Sequence, residues 1–153
     1  MTSEAIVADL GSSRLKVGFA CDARPRGLLS TACVASGSSP GSWLAVDDRA
    51  AASARGELCL PVTCGGLSEA EDASGAMAAL WDHALSVDLG CKAGEHPVLL
   101  VERADFSRKA RHRQAELFFE TLQAPALFLA REPALACYAC ARARGLTPHV
   151  HHQ

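Results

Sequence analysis

Two short apolar runs, PVLLVE at Pro97–Glu102 and ALFLA at Ala126–Ala130, constrain the fold more than any other feature of the sequence. Each is continuous and not alternating, as expected for a buried parallel strand covered on both faces. Parallel neighbours cannot be joined by a tight turn and need a long crossover between them. The segment from Ser107 to Leu122 supplies one. Ser107 is placed as an N-cap, and Ala110, Gln114, Leu117, Phe118 and Thr121 recur along one helical face. A helical stretch also precedes the first run, in AMAALWDHAL, where Met77, Leu80, Trp81, Ala84 and Leu85 keep helical spacing. A third helix is expected to begin near Pro133, which suits a first turn, and to end at Gly145, a good C-terminal cap.

The first third of the chain has another pattern. Ala5–Leu10, Leu15–Cys21 and Leu28–Ala35 are short apolar runs separated by GSSR and DARPRG, which reads as three neighbouring antiparallel strands. Residues 36–62 form an excursion rich in Ser, Gly and Ala, expected to be mobile. It carries one weak strand at Trp43–Val46 and another at Glu57–Val62, the latter ended by Pro61 and the Gly65–Gly66 pair. A three-strand meander followed by helix, strand, helix, strand, helix requires right-handed crossovers onto a parallel portion of the same sheet. The expected fold is α/β: a mixed sheet of about five strands with helices on its faces, the ribonuclease-H-like arrangement.

The 153 residues suffice for one domain with a single core. Apolar residues make up 49%, but only 5% are aromatic and many are alanine, so the core is expected to be thin. A net charge of -2 gives no electrostatic footprint for nucleic acid or an anionic membrane, and neither is expected as a partner. No run approaches the length of a membrane span, and MTSEAIVADLG lacks the basic start and apolar centre of a signal peptide. The expected location is the cytosol or the nucleus. Seven irregularly spaced cysteines fit a reducing compartment, most of them as small buried hydrophobes.

One stretch, VADLGSSRLKVGF, has the residues of a phosphate-facing turn. Gly11 permits a tight turn whose amides can face a phosphate, Ser12 and Ser13 add hydroxyl donors, and Lys16 supplies a point charge. Asp9, at the end of the first run, is suited to hold hydrated magnesium. The same residues also describe an ordinary hairpin with an exposed lysine and a serine-rich tip.

VADLGSSRLKVGFACDARPR resembles the opening of actin and actin-related proteins, and LWDHAL, EHPVLLVE, AELFFETLQAPALFLA and ALACYACARARG follow in the order and spacing of that family. The resemblance runs from about Ala5 to Gly145 and covers the first portion of an actin: residues 1–145 as its first domain, with 36–62 as the small-subdomain-like excursion and 146–153 as a tail outside the family pattern. It implies that Asp9, Gly11, Ser12, Ser13 and Lys16 occupy the positions that meet ATP and magnesium, with Asp9 reaching the metal through water. It places Glu132 where the family has a glutamine that positions the attacking water. Leu10 and Ser13 depart from the family's polar residue and glycine, and the acid at 132 adds negative charge beside a triphosphate.

After Gly145 the family would continue into a second Asp/Gly-rich loop, where this sequence reads LTPHVHHQ. The resemblance therefore implies half of a nucleotide site, no ATP turnover by this chain, and a structural or interaction role among actin-family or cytoskeletal proteins. A conventional filament is not expected, because the Ser36–Val46 segment, which stands where the family carries its mobile loop, is short and Ser/Gly-rich with Trp43 as its largest apolar residue. Apolar surface near the last strand and helix is expected to be exposed, with marginal stability as the consequence.

Two rival constellations remain. Cys137 and Cys140, with His149, His151 and His152, could make a zinc-linked adaptor. Against it, the two cysteines lie one turn apart on a helix that the resemblance puts in the core. Arg108, Lys109, Arg111 and Arg113 form a basic cluster that reads first as a solvated helix face.

Overall fold

The structure, a computed structural model, describes residues 3–36, 41–46, 57–63, 66–68, 70 and 72–140. Four strands open the chain: β1 (Ile6–Leu10), β2 (Arg14–Phe19), β3 (Gly27–Ser30) and β4 (Cys33–Ala35). Short strands β5 (Trp43–Ala45), β6 (Leu58–Cys59), β7 (Val62–Thr63) and β8 (Gly66–Leu67) follow. Helix α1 (Ala73–His83) widens into a π-helical segment, Ala84–Leu89, which Gly90 closes in the left-handed conformation at φ 65°. Then come β9 (Val98–Glu102), α2 (Arg108–Glu116) with a second π-helical segment at Leu117–Thr121, β10 (Leu127–Arg131) and α3 (Glu132–Ala139). No helix among the described residues is long and apolar enough to cross a membrane.

The main sheet runs β10-β9-β1-β2-β3. β1 and β2 pair antiparallel, as do β2 and β3, whereas β1, β9 and β10 are mutually parallel. This is the mixed five-strand sheet anticipated from the order of patterned segments. Its residues in register share a face, and the two faces differ sharply. Ile6, Ala8, Leu15, Val17, Leu29, Val98 and Leu100 lie on one face and belong to the core. There Trp81 from α1 meets Phe118 edge-on, ring centroids 4.9 Å apart, and both are fully buried. Met77, Leu80, Ala84 and Leu85 are buried with them, so the helical spacing located the packing stripe correctly.

The opposite face carries two rows across the strands. Phe128, Leu99 and Val7 stand in one, and Ala130, Val101, Asp9, Lys16 and Leu28 in the next. Leu28 is 53% exposed and Phe128 65%, while Val7, Leu99 and Val101 are half-buried. This corrects two expectations. PVLLVE is not covered on both faces: its burial alternates along β9. ALFLA is not a buried strand either, since Ala130 alone in β10 is buried. A continuous apolar run fixed the strand and its parallel partner but not how many of its faces are covered.

Other boundaries shift for local reasons. The run Leu28–Ala35 is not one strand, because the chain turns at Thr31–Ala32 and leaves the main sheet for a second one, ordered β5-β4-β6. Residues 37–40 and 47–56 of the expected excursion lie outside the described residues. Beyond β6 the chain forms a β7–β8 hairpin where an ending at Pro61 was expected. Ser107 does cap α2, its hydroxyl accepting from the Ala110 amide at 3.1 Å. The π widening then turns Thr121 out to solvent, off the expected face. α3 starts at Glu132 with Pro133 in its first turn, and the expected end at Gly145 lies outside the described residues.

Gly27 is fixed by close approach. A Cβ there would stand 2.7 Å from Asp88 Oδ2 and 2.7 Å from Val17 Cγ2, so the π-helical segment sits directly against β3. Gly27→Ala must displace both side chains, and overpacking of this kind costs about 1–3 kcal/mol. Urea unfolding is expected to show a lower midpoint with an unchanged slope.

Candidate functional site

The hairpin between β1 and β2 is centred on Ser12 and Ser13, and that centring sets the chemistry. It places Asp9 directly opposite Lys16 and Leu10 opposite Leu15, and Gly11 closes the turn by donating its amide to the Arg14 carbonyl at 3.0 Å. A Cβ on Gly11 would lie 3.1 Å from that same carbonyl, which explains a glycine at this point. The Lys16 ammonium donates to Asp9 Oδ2 at 2.7 Å, and the two side chains are 48% and 43% exposed. A half-exposed cross-strand ion pair contributes roughly 0.2–1 kcal/mol and weakens with salt.

Two of the expected phosphate-facing groups are thus already engaged. The Gly11 amide belongs to the turn, and the Lys16 charge is met by the carboxylate expected to reach the metal. Ser12 and Ser13 stay exposed at the tip. Among the described residues no group of three or more His, Cys, Asp or Glu side chains could hold a metal ion. The residues present offer a phosphate the exposed Ser12 and Ser13 and an ammonium already paired with Asp9, and offer a metal one carboxylate already paired with Lys16.

Glu132 is not brought into the pair. It is the exposed first residue of α3, just past the carboxyl end of β10, with β9 standing between β10 and β1. Two strand spacings amount to about 10 Å. Both positions do lie toward the carboxyl ends of the three parallel strands, where open α/β sheets receive ligands. The acid is also favourable where it stands, at a helix N-terminus.

One residue that supports the site is not singled out by any motif in the sequence. Thr31, 1% exposed, donates its hydroxyl to the Ser12 carbonyl at 2.9 Å and its amide to the Ser13 carbonyl at 3.1 Å. It ties the hairpin tip to the turn where the chain leaves the main sheet. A polar residue inside the apolar run LLSTACVA was the available hint.

The rival constellations resolve in part. α3 is not in the core: none of its residues is buried, Cys137 is half-buried and Cys140 exposed. His149, His151 and His152 lie outside the described residues. The basic cluster is not simply a solvated face. Arg111 turns back to donate to Glu102 Oε2 at 2.7 Å, and Glu102, at the end of β9, is only 5% exposed. That carboxylate holds the Arg111 guanidinium's pKa above its ordinary value.

Removing the Thr31 hydroxyl tests the tie. Thr31→Val deletes the bond to Ser12 but keeps the amide bond to Ser13, and is expected to cost about 1 kcal/mol. Thr31→Ser keeps the hydroxyl and should recover most of it. Amide exchange at Ser12 and Ser13 should quicken in the valine variant alone.

The hairpin, the parallel strands β9 and β10 and the helices between them thus place the sequence motifs in one continuous fold. A family model described as Actin matches residues 1–148, nearly the full sequence. The chain belongs to the actin family.

Proposed function

We propose that this actin-family chain is a structural and interaction module whose nucleotide site is incomplete and which does not turn over ATP. Family membership brings the expectation of ATP and magnesium, and the hairpin carries part of what they need. The observation that weighs most is the 2.7 Å pair between Lys16 and Asp9. A phosphate reaching Lys16 competes with a carboxylate already in place, and a metal reaching Asp9 competes with an ammonium. Phosphoryl transfer depends on preorganised charge and excluded water, and both side chains are about half exposed. The acid at Glu132, in place of a neutral water-positioning amide, adds repulsion on the same side.

On this reading the partners are other actin-family or cytoskeletal proteins, met in the cytoplasm and cytoskeleton, with the nucleus as the second location. Conventional filament formation, nucleic-acid binding and membrane binding are not part of it. A second reading is an ATP-binding actin-type subunit of a cytoskeletal or chromatin-remodelling assembly, in a longer form. It is favoured by one feature, the exposed Ser12–Ser13 tip near the carboxyl ends of β1, β9 and β10.

Thermal melts of the full chain, with and without millimolar magnesium ATP, separate the two. A ligand that binds the folded state alone raises the midpoint by mass action. The expected result is no resolvable rise, with phosphate release at background. A saturable rise that disappears in Lys16→Met would overturn the proposal and establish the hairpin as a nucleotide contact.

A further inference from the structure

The three-stranded sheet β5-β4-β6 holds two cysteines that the nucleotide site does not use. In the β4–β6 ladder Cys33 is the direct cross-strand partner of Cys59, and both are buried in the core, at 0% and 8% exposure. No other two described cysteines are opposed in this way. We propose that Cys33 and Cys59 are a cross-strand dithiol that oxidises reversibly to an intrachain disulfide, stapling β6 to β4.

The ladder supplies the geometry. The Ala35 amide donates to the Glu57 carbonyl at 3.0 Å, which marks Ala35 and Glu57 as a hydrogen-bonded pair. Hydrogen-bonded and open pairs alternate in an antiparallel ladder, so Cys33 and Cys59, two positions along, again form a hydrogen-bonded pair. Such pairs have Cα atoms about 5.5 Å apart, inside the roughly 4.4–6.8 Å window of disulfides. Their Cβ atoms fall toward the wide end of the about 4.5–5.5 Å cross-strand range, because the pair is hydrogen-bonded, and so stand up to about 1 Å beyond the disulfide range. The strands must draw together slightly, and a bond formed under strain is more easily reduced. That combination gives a reversible link and not a permanent one. A metal is a poorer occupant, because no third candidate ligand joins the pair among the described residues.

The chemistry balances with a small-molecule disulfide such as oxidised glutathione as the oxidant. Cys59, the more exposed thiol, loses its proton and attacks one glutathione sulfur. A mixed disulfide forms and one glutathione thiolate leaves. The Cys33 thiolate then attacks the Cys59 sulfur and expels the second glutathione. Two protein thiols lose two electrons, the glutathione disulfide gains them, and the two protons end on the released thiols. The second step is gated. Cys33 donates its thiol hydrogen to the Ala76 carbonyl at 3.3 Å under α1, and burial pushes its pKa up to about 12. Exchange therefore requires the small sheet to open, and should quicken as pH rises.

The test uses the full chain, reduced, then exchanged into oxidised glutathione at mildly alkaline pH, alkylated and mapped by mass spectrometry. The expected product is a peptide pair linked through Cys33 and Cys59, lighter by two hydrogens than the two reduced peptides. A melting midpoint higher by about 5 °C should accompany it, reversed by dithiothreitol. Cys33→Ser and Cys59→Ser should each abolish the link and the shift. The map itself needs no variant, so a variant that fails to fold leaves the result intact. If both residues are recovered alkylated while Cys21 or Cys140 is glutathionylated, the proposal is overturned. A link from either residue to any other cysteine, Cys64 included, overturns it equally.

Discussion

Strand β1 is hydrogen-bonded on both sides, antiparallel to β2 and parallel to β9, and the rest of the molecule is arranged around that double pairing. Because side chains alternate along a strand, one decision settles two faces at once. Ile6 and Ala8 are driven into the core, where each has no exposed surface. Asp9 is thereby committed to the other face, beside Val101 and opposite Lys16. A slip of one residue would carry Asp9 into the core and expose Ile6 and Ala8. Stranding an unpaired carboxylate in an apolar core costs several kcal/mol, far more than the ion pair on the surface returns. The register is thus enforced by the core, and the Asp9–Lys16 contact is its by-product.

That ordering of causes bears on the site. The pair adds little to the hairpin beyond what the β1–β2 ladder, the turn amide of Gly11 and the two bonds to Thr31 already supply. The hairpin's shape therefore does not depend on a ligand, and neither does the meeting of Asp9 with Lys16. A site whose charges satisfy each other can be stable and still bind a nucleotide poorly. The bonds that fix the hairpin and the charges at its base are different groups within the same few residues.

Much of the fold was legible in the sequence, and the parts that were not share a cause. The 3.6-residue spacing of Met77, Leu80, Trp81, Ala84 and Leu85 marked a buried stripe because a helix face is defined locally. Ser107 was legible as a cap for the same reason. The hairpin opposition of Asp9 and Lys16 is implicit in a turn centred on Ser12–Ser13, although each residue read singly looks like a separate ligand. What could not be read locally was coverage. PVLLVE and ALFLA look alike as strings, and only tertiary packing decides which faces of β9 and β10 meet another layer. The tie at Thr31 and the opposition of Cys33 and Cys59 likewise depend on which strands become neighbours, and no spacing rule encodes that.

The open face of the main sheet carries a physical tension. Leu28, Val101, Leu99, Val7 and Phe128 would make a continuous apolar patch, and contiguous patches of this kind favour association. Asp9 and Lys16 stand inside it, flanked by Val101 and Leu28 along their row. In water the pair keeps the patch hydrated and interrupted. Covered by a dry surface, the same pair must give up its water, and its attraction at low dielectric repays that only if further hydrogen bonds complete the carboxylate and the ammonium. Any surface that closes over this sheet therefore has to bring polar groups to one point in its centre and apolar groups around it. Replacing either charge by an apolar residue leaves the other unpaired, so the interruption is a property of two residues together. The core-driven register that put Asp9 on this face also decides what that face can accept.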